Sequence, residues 1–193
     1  LKVKHSKLET EADLSGIRSS KNERTLESFT EAIRLNPEDA FAYYSRGAAY
    51  YDLGRHDLAM QDYDAVIRLD PQNGRAYTGR GATYHSFRQY ERAIQDYDEA
   101  IRLNPQDAEA YYNRGVAYWY LGQYQLAMQD FDEAIRLNPK YAEAYYNRGV
   151  AYLHLRQYQR AIEDYDEAIR LNLQHPFAYN NRGLAYSKLG EHE

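Results

Sequence analysis

Proline stands at residues 37, 71, 105 and 139, 34 residues apart each time, and a block of sequence travels with each one. The stretch YYNRGVAYWYLGQYQLAMQDFDEAIRLNP from Tyr111 and the stretch YYNRGVAYLHLRQYQRAIEDYDEAIRLNL from Tyr145 agree at most positions without a gap. A period of this size belongs to stacked supersecondary units, each of which buries its apolar face only against a neighbour. The 193 residues are therefore expected to form one elongated stack whose core is a line rather than a ball. Such a stack offers a surface to other proteins more readily than a closed cavity to a small substrate.

Numbering each repeat from the residue 31 places before its proline puts the starts at Ser6, Ala40, Gly74, Ala108, Ala142 and, by extension, Pro176. Tyr recurs at position 4 (Tyr43, Tyr77, Tyr111, Tyr145, Tyr179), Gly at 8 (Gly47, Gly81, Gly115, Gly149, Gly183) and Tyr at 11 (Tyr50, Tyr84, Tyr118, Tyr152, Tyr186). Spacings of four and three mark one face of a helix. A helical glycine costs about 1 kcal/mol against alanine, so its recurrence implies a gain, expected to be the close approach of a second helix. That second helix carries Ala at 20 (Ala59, Ala93, Ala127, Ala161), an aromatic at 24 (Phe29, Tyr63, Tyr97, Phe131, Tyr165) and Ala or Val at 27 (Ala32, Val66, Ala100, Ala134, Ala168). Small residues are expected opposite the glycine.

Position 15, Gly54, Gly122 and Gly190, suits a left-handed helix cap, and Arg88 and Arg156 in its place predict strained or differently capped turns. The Asn-Pro or Asp-Pro pair ends the second helix. Asp39, Asn73 and Asp107 then fall where they can cap the next first helix.

These positions resemble the tetratricopeptide repeat, with only Arg at position 7 (Arg46, Arg80, Arg114, Arg148, Arg182) departing systematically from that family's leucine. The resemblance covers nearly all of residues 22–190. It implies an all-α fold, an alpha-alpha superhelix of antiparallel helix pairs with the first helices on its concave wall, that binds protein segments. The expected organisation is a leader or degenerate first helix over 1–21 and a repeat domain over 22–193. The latter comprises a half-repeat at 22–39, full repeats at 40–73, 74–107, 108–141 and 142–175, and a half-repeat at 176–193. Leu8, Leu14 and Ile17 could give the leader a weak helical stripe. A chain that starts at Leu1 and stops in mid-repeat at Glu193 is expected to be a fragment, with an apolar edge from Phe177 to Leu189 that invites end-to-end packing between copies.

A net charge of -5 disfavours nucleic acid as partner, and no run approaches the roughly 18 apolar residues of a membrane span. With no cysteine there are neither disulfides nor thiolate metal sites, which favours a reducing, cytoplasmic setting. The six histidines do not recur at metal-ligand spacing, and no phosphate loop, nucleophile elbow or zinc signature occurs. No enzyme activity and no cofactor are expected.

At 100° per residue, positions 1, 4, 8 and 11 are expected to face the partner helix, with 3, 7, 10 and 14 flanking toward neighbouring repeats. Positions 2, 5, 6, 9, 12 and 13 fill a separate arc that stacking does not require to be apolar. Sixteen of the 22 tyrosines have packing positions, and five of the other six, Tyr44, Tyr51, Tyr112, Tyr120 and Tyr146, lie on this arc. Rigid aromatic side chains are favoured anchors at interfaces. The expected ligand groove therefore takes in those tyrosines with His85, Val116, Trp119 and Val150. Asn113, Asn147 and Asn181 at position 6 offer both donor and acceptor to a peptide backbone. They are similar to the asparagine ladder of the tetratricopeptide superhelix in the O-linked N-acetylglucosamine transferase. The family's carboxylate clamp is not matched: position 5 is Tyr or Thr, position 9 is Ala or Val, and Glu143 and Asn147 stand where cations would be needed. Asp at 25 and Arg at 29 are expected to pair within each second helix, worth about 0.3 kcal/mol each. Arg at position 7 is placed to meet position 23 acids such as Asp62 or Asp130.

Overall fold

A computed structural model describes residues 23–172 and 176–190. The leader with Leu8, Leu14 and Ile17, and His5, His175 and His192, lie outside the described residues. Those described form α1 (23–35), α2 (Ala40–Asp52), α3 (His56–Leu69), α4 (Gly74–Ser86), α5 (Tyr90–Leu103), α6 (Ala108–Tyr120), α7 (Tyr124–Leu137), α8 (Ala142–His154), α9 (Tyr158–Leu171) and α10 (Pro176–Gly190), with no strand among them. Each complete repeat is a helical hairpin, and its second helix also packs on the first helix of the next repeat. First helices touch one another as well, α2 with α4, α4 with α6 and α8 with α10, which places them on the inner wall of an alpha-alpha superhelix.

The core is thin and built from small residues. Ala76, Ala110 and Ala144 at position 3, Ala117 and Ala151 at position 10, and Ala59, Ala93, Ala127 and Ala161 at position 20 are fully buried around Tyr97, Phe131 and Tyr165 at position 24. The buried face of the first helix is thus 3, 8 and 10 rather than the expected 1, 4, 8 and 11. Most tyrosines at 4 and 11 are half-buried and flank the position 7 guanidinium instead: that of Arg114 lies 5.5 Å from the Tyr111 ring centre and 5.8 Å from that of Tyr118. The helices do approach closely at glycine, but what lies opposite is the aromatic ring, not a small residue. A Cβ on Gly115 would stand 2.8 Å from Cε1 of Phe131, and one on Gly81 2.7 Å from Cε1 of Tyr97.

Arginine at position 7 binds both oxygens of the position 23 aspartate in its own repeat. Arg114 donates from Nε and Nη2 to Asp130 at 2.8 and 2.7 Å, and Arg46–Asp62, Arg80–Asp96 and Arg148–Asp164 repeat the geometry. The remaining Nη1 reaches back to the position 25 aspartate of the preceding repeat, as in Arg114–Asp98 and Arg148–Asp132. The expected i, i+4 pairs of Asp98 with Arg102, Asp132 with Arg136 and Asp166 with Arg170 are therefore not formed. Their arginines turn to glutamates three residues earlier, Glu99, Glu133 and Glu167. The aspartates are drawn to a less exposed guanidinium, where the lower dielectric strengthens the attraction. Donation to the Asp96 carboxylate raises the Arg80 pKa above its ordinary value, so it stays charged.

Caps complete each hairpin. Asp39, Asn73 and Asp107 accept from backbone N–H groups of the first turn they precede, while Tyr141 at the same place makes no such bond. At the other end, Gly54 and Gly122 have φ of 70° and 74°, and Arg88 and Arg156 adopt the same left-handed conformation at 59°. The bonding is the same in all four turns: Arg55, Gln89, Gln123 and Gln157 donate to the carbonyls of Tyr50, Tyr84, Tyr118 and Tyr152 at 2.8–2.9 Å. The arginine turns are thus strained rather than differently capped, because a Cβ in this region costs about 1–2 kcal/mol. Arg88→Gly and Arg156→Gly are each expected to raise unfolding stability by about 1 kcal/mol in urea titration.

Candidate functional site

The inner wall encloses an open groove of about 1050 Å3 between α2, α4 and the start of α6. The turns at 70–74, 103–107 and 138–141 close its rim, and Tyr44, Tyr51 and Tyr63 supply its aromatic floor. Alternation of large and small residues shapes it: α2 brings Tyr44 and Tyr51, whereas α4 brings Thr78, Gly79 and Ala82 at the facing positions. The small residues are required. A Cβ on Gly79 would stand 2.6 Å from Cζ of Tyr63, so the Tyr63 ring can lie under the groove only because α4 has glycine there.

Of the residues singled out in the sequence, Tyr44 and Tyr51 line this groove. The others stand farther along the wall, in two kinds of cluster. In one, phenols and asparagines of successive repeats interlock. Asn147 Nδ2 donates to the Tyr112 hydroxyl at 2.8 Å and Asn181 Nδ2 to that of Tyr146 at 3.1 Å. Burial, then the neighbouring Glu143 carboxylate, push the Tyr112 phenol up to about 12 against the opposing effect of Asn147, so it keeps its own proton to donate. Thr78 replaces tyrosine one repeat earlier, and Asn113 has no corresponding phenol. Val116 and Val150 are half-buried.

In the other kind of cluster, rings from adjacent repeats meet near the turn of each hairpin. Tyr120 stacks on Tyr90 with ring centres 5.0 Å apart, and His85 sits edge-on to both at 5.2 Å. Trp119 packs 4.6 Å from Tyr124 and 5.6 Å from His154. Burial lowers the His85 pKa, which keeps its imidazole neutral at pH 7. His85, Trp119 and Tyr120 thus hold neighbouring repeats together, although Tyr120 remains 58% exposed.

Sequence reasoning missed Tyr141. It lines the groove and packs 4.7 Å from Tyr112. Its signal was present: it is the one tyrosine at neither a packing nor an arc position, and it stands where the three preceding junctions carry the capping Asp39, Asn73 and Asp107. Also missed was the charge of the rim, where Asp52, Asp70, Asp107 and Glu109 face the single cation Arg75. Glu109 is raised above the usual carboxylate range, first by burial and then by Asp107. Among the described residues no group of three or more His, Cys, Asp or Glu side chains is placed to hold a metal ion. No helix among them is long and apolar enough to cross a membrane.

Family models described as tetratricopeptide repeat match residues 40–73, 108–141 and 142–175, and a further one 63–95; a model described as TPR repeat matches 19–54 and 89–122. No curated protein sequence is significantly similar to this chain. Among solved structures it is similar to the MamA protein, with 32% identity over 80% of this chain and 84% of that one at a TM-score of 0.70. It is also similar to YrrB, described as a TPR protein with an unusual peptide-binding site, with 26% identity over 86% of each chain and a TM-score of 0.68. A third similar structure is the first TPR of Spaghetti (RPAP3) bound to the HSP90 peptide SRMEEVD, with 27% identity over 63% of this chain and 96% of that one and a TM-score of 0.61.

Proposed function

Because this chain belongs to the tetratricopeptide-repeat family, we propose that it is a non-catalytic protein-interaction module that takes an extended or short helical segment of a partner protein into its concave groove. The observation that carries this reading is the open aromatic groove on the inner wall, rimmed by Asp52, Asp70, Asp107 and Glu109. First helices about 9 Å apart give a wall of roughly 36 Å, long enough for on the order of ten extended residues. Tyr44, Tyr51 and Tyr141 supply flat contact area in the groove. Farther along, Tyr112, Tyr146, Asn113, Asn147 and Asn181 extend the track with phenol and carboxamide groups. Two relatives in structure, YrrB and Spaghetti, are described with a peptide site or a bound peptide. The four carboxylates of this rim argue against an acidic tail as the ligand here.

The test is selection of a random phage-displayed peptide library on the protein. Enriched peptides are expected to shift backbone amide resonances of α2, α4 and α6, and to lose about tenfold or more in affinity with Tyr51→Ala or Tyr44→Ala while thermal unfolding stays cooperative. Peptides that bind with equal affinity to both variants, or shifts confined to the outer helices, would overturn the groove reading.

A second reading rests on a different observation. Phe177, Leu184 and Tyr186 of α10, at one end of the stack, are 47–64% exposed, and Leu35 and Phe41 at the other are 69% and 72% exposed. Exposed apolar ends of this kind favour a scaffold that associates end to end. Sedimentation at increasing concentration separates the two, since a groove module stays monomeric.

A further inference from the structure

The concave groove lies where two neighbouring repeats depart from the pattern of the others, in shape and in charge. On α4, Thr78, Gly79 and Ala82 stand where α6 carries Tyr112, Asn113 and Val116 and α8 the same three residue types. These small residues open the wall opposite the Tyr44 and Tyr51 rings. Two of the carboxylates around the opening are also peculiar to it. Asp70 replaces the asparagine found as Asn36, Asn104, Asn138 and Asn172 at the same repeat position, and Asp52 falls where other repeats have Ser86, Tyr120, His154 and Lys188. The stack does not use their charge. Among the described residues neither is in an ion pair. The one side-chain bond Asp70 makes, accepting from the Gln72 N–H at 3.1 Å, is made equally well by Asn36, Asn104 and Asn138 at 3.1–3.2 Å. The other two rim acids are partly engaged: Asp107 caps α6, and Glu109, raised first by burial and then by Asp107, is opposed by Arg75.

We propose, resting on the groove reading above, that the partner segment is basic and is read by one arginine, whose guanidinium lies on the aromatic floor at Tyr51 and is bound by Asp52 and Asp70. The first reason is charge: four carboxylates line the groove against the single cation Arg75, and complementary charge selects the partner and suppresses wrong ones. The second is the pairing of rings with acids, a combination to which this chain already fits arginine. In each complete repeat the position 7 guanidinium lies 5.5–6.0 Å from the ring centres of the tyrosines at 4 and 11 while it binds an aspartate. A planar guanidinium lies flat on a ring and presents paired N–H groups to a carboxylate, whereas the compact ammonium of lysine does neither. Burial, then Tyr44 and Asp52, raise the Tyr63 phenol, so the Asp52 charge is felt at the floor of the groove. An acidic segment would meet repulsion there, and a purely apolar one would leave Asp52 and Asp70 without a counter-charge.

The test uses the whole protein and synthetic copies of the peptides that it enriches from a random phage-displayed library. Those peptides are expected to share an arginine. Replacing it by glutamine should weaken binding about tenfold or more, and by lysine about threefold. The double variant Asp52→Asn with Asp70→Asn should weaken the arginine peptide about tenfold and leave its glutamine version as it was. Arg75→Gln should act in the opposite direction and tighten the arginine peptide about threefold, an effect that damage to the fold would not produce. Asp70→Asn installs the residue of the other repeats, so circular dichroism should show the double variant folded. Glu91→Gln removes the same charge from an exposed place on α5 and should leave every affinity unchanged, which separates a local site from net charge. Peptides that shift the amide resonances of α2 and α4 but lack arginine, or that bind the double variant with equal affinity, overturn this proposal and leave the groove reading standing. Peptides whose shifts fall outside the groove, or a library from which nothing is enriched, overturn both.

Discussion

Arg114→Ala is expected to destabilise the protein by about 3 kcal/mol, the cost of leaving a buried carboxylate without its partner. Asp130 is 7% exposed at its side chain and receives two bonds from this one guanidinium. Removing Arg114 also releases Asp98 of the preceding repeat, so the loss falls on two interfaces, that between α6 and α7 and that between successive repeats. Urea unfolding measures the effect. Arg182→Ala is the internal control. Its one carboxylate partner, Asp166, is 51% exposed, and an exposed pair contributes 1 kcal/mol or less, by the usual range of about 0–1 kcal/mol. Equal losses from the two variants would show that the bidentate pair adds nothing beyond surface charge. Replacing Arg114 and Asp130 together by apolar residues should recover much of the loss, since the penalty comes from the orphaned charge rather than from the absence of the pair.

Gly115→Val is expected to cost about 3 kcal/mol or more, at the upper end for an overpacked core. The Cβ alone would lie 2.8 Å from Cε1 of Phe131 and 3.1 Å from Cβ of Asp130, and Phe131 is only 1% exposed, so the ring has nowhere to go. Helix propensity works in the opposite direction, by about 1 kcal/mol or less, and is outweighed. At Gly183, where nothing stands within 4 Å, propensity acts alone. Gly183→Ala should therefore stabilise by about 1 kcal/mol. The same residue at the same repeat position thus gives opposite signs, and thermal unfolding of the two variants reads both. A stabilised Gly115→Val protein would overturn the close approach of α7 to α6 at this glycine.

The contrast shows where sequence reading was sufficient. Glycine at position 8 was legible as a place of close approach because a helical glycine is costly and recurs. Its neighbour was not, since the alternatives, alanine at 20 and 27 or the aromatic at 24, share one face of the second helix. Only the rotation of that helix about its axis brings the ring over the glycine. The same holds for charge. The pairing of Arg102 with Glu99 rather than Asp98 was unreadable because both acids lie within reach along the helix, and what removes Asp98 is Arg114 of the next repeat. In the candidate groove, the arc of first-helix tyrosines was legible from spacing. Tyr141 stood out as the one tyrosine outside both sets, but that it joins Asp52, Asp70, Asp107 and Glu109 around one groove was not legible, because these residues come from different repeats and their meeting depends on how sharply successive repeats curve.

By itself the sequence determined the period, the helical hairpins, their caps and the family, all of which are local and rest on 34-residue repetition and on which residues end or cap a helix. Tertiary structure alone decided which rings line the groove and which bind repeat to repeat, and where the arginines find their carboxylates. The physical reason is that a helix presents several faces at once, and which of them is buried is set by the rotation and crossing of its neighbours.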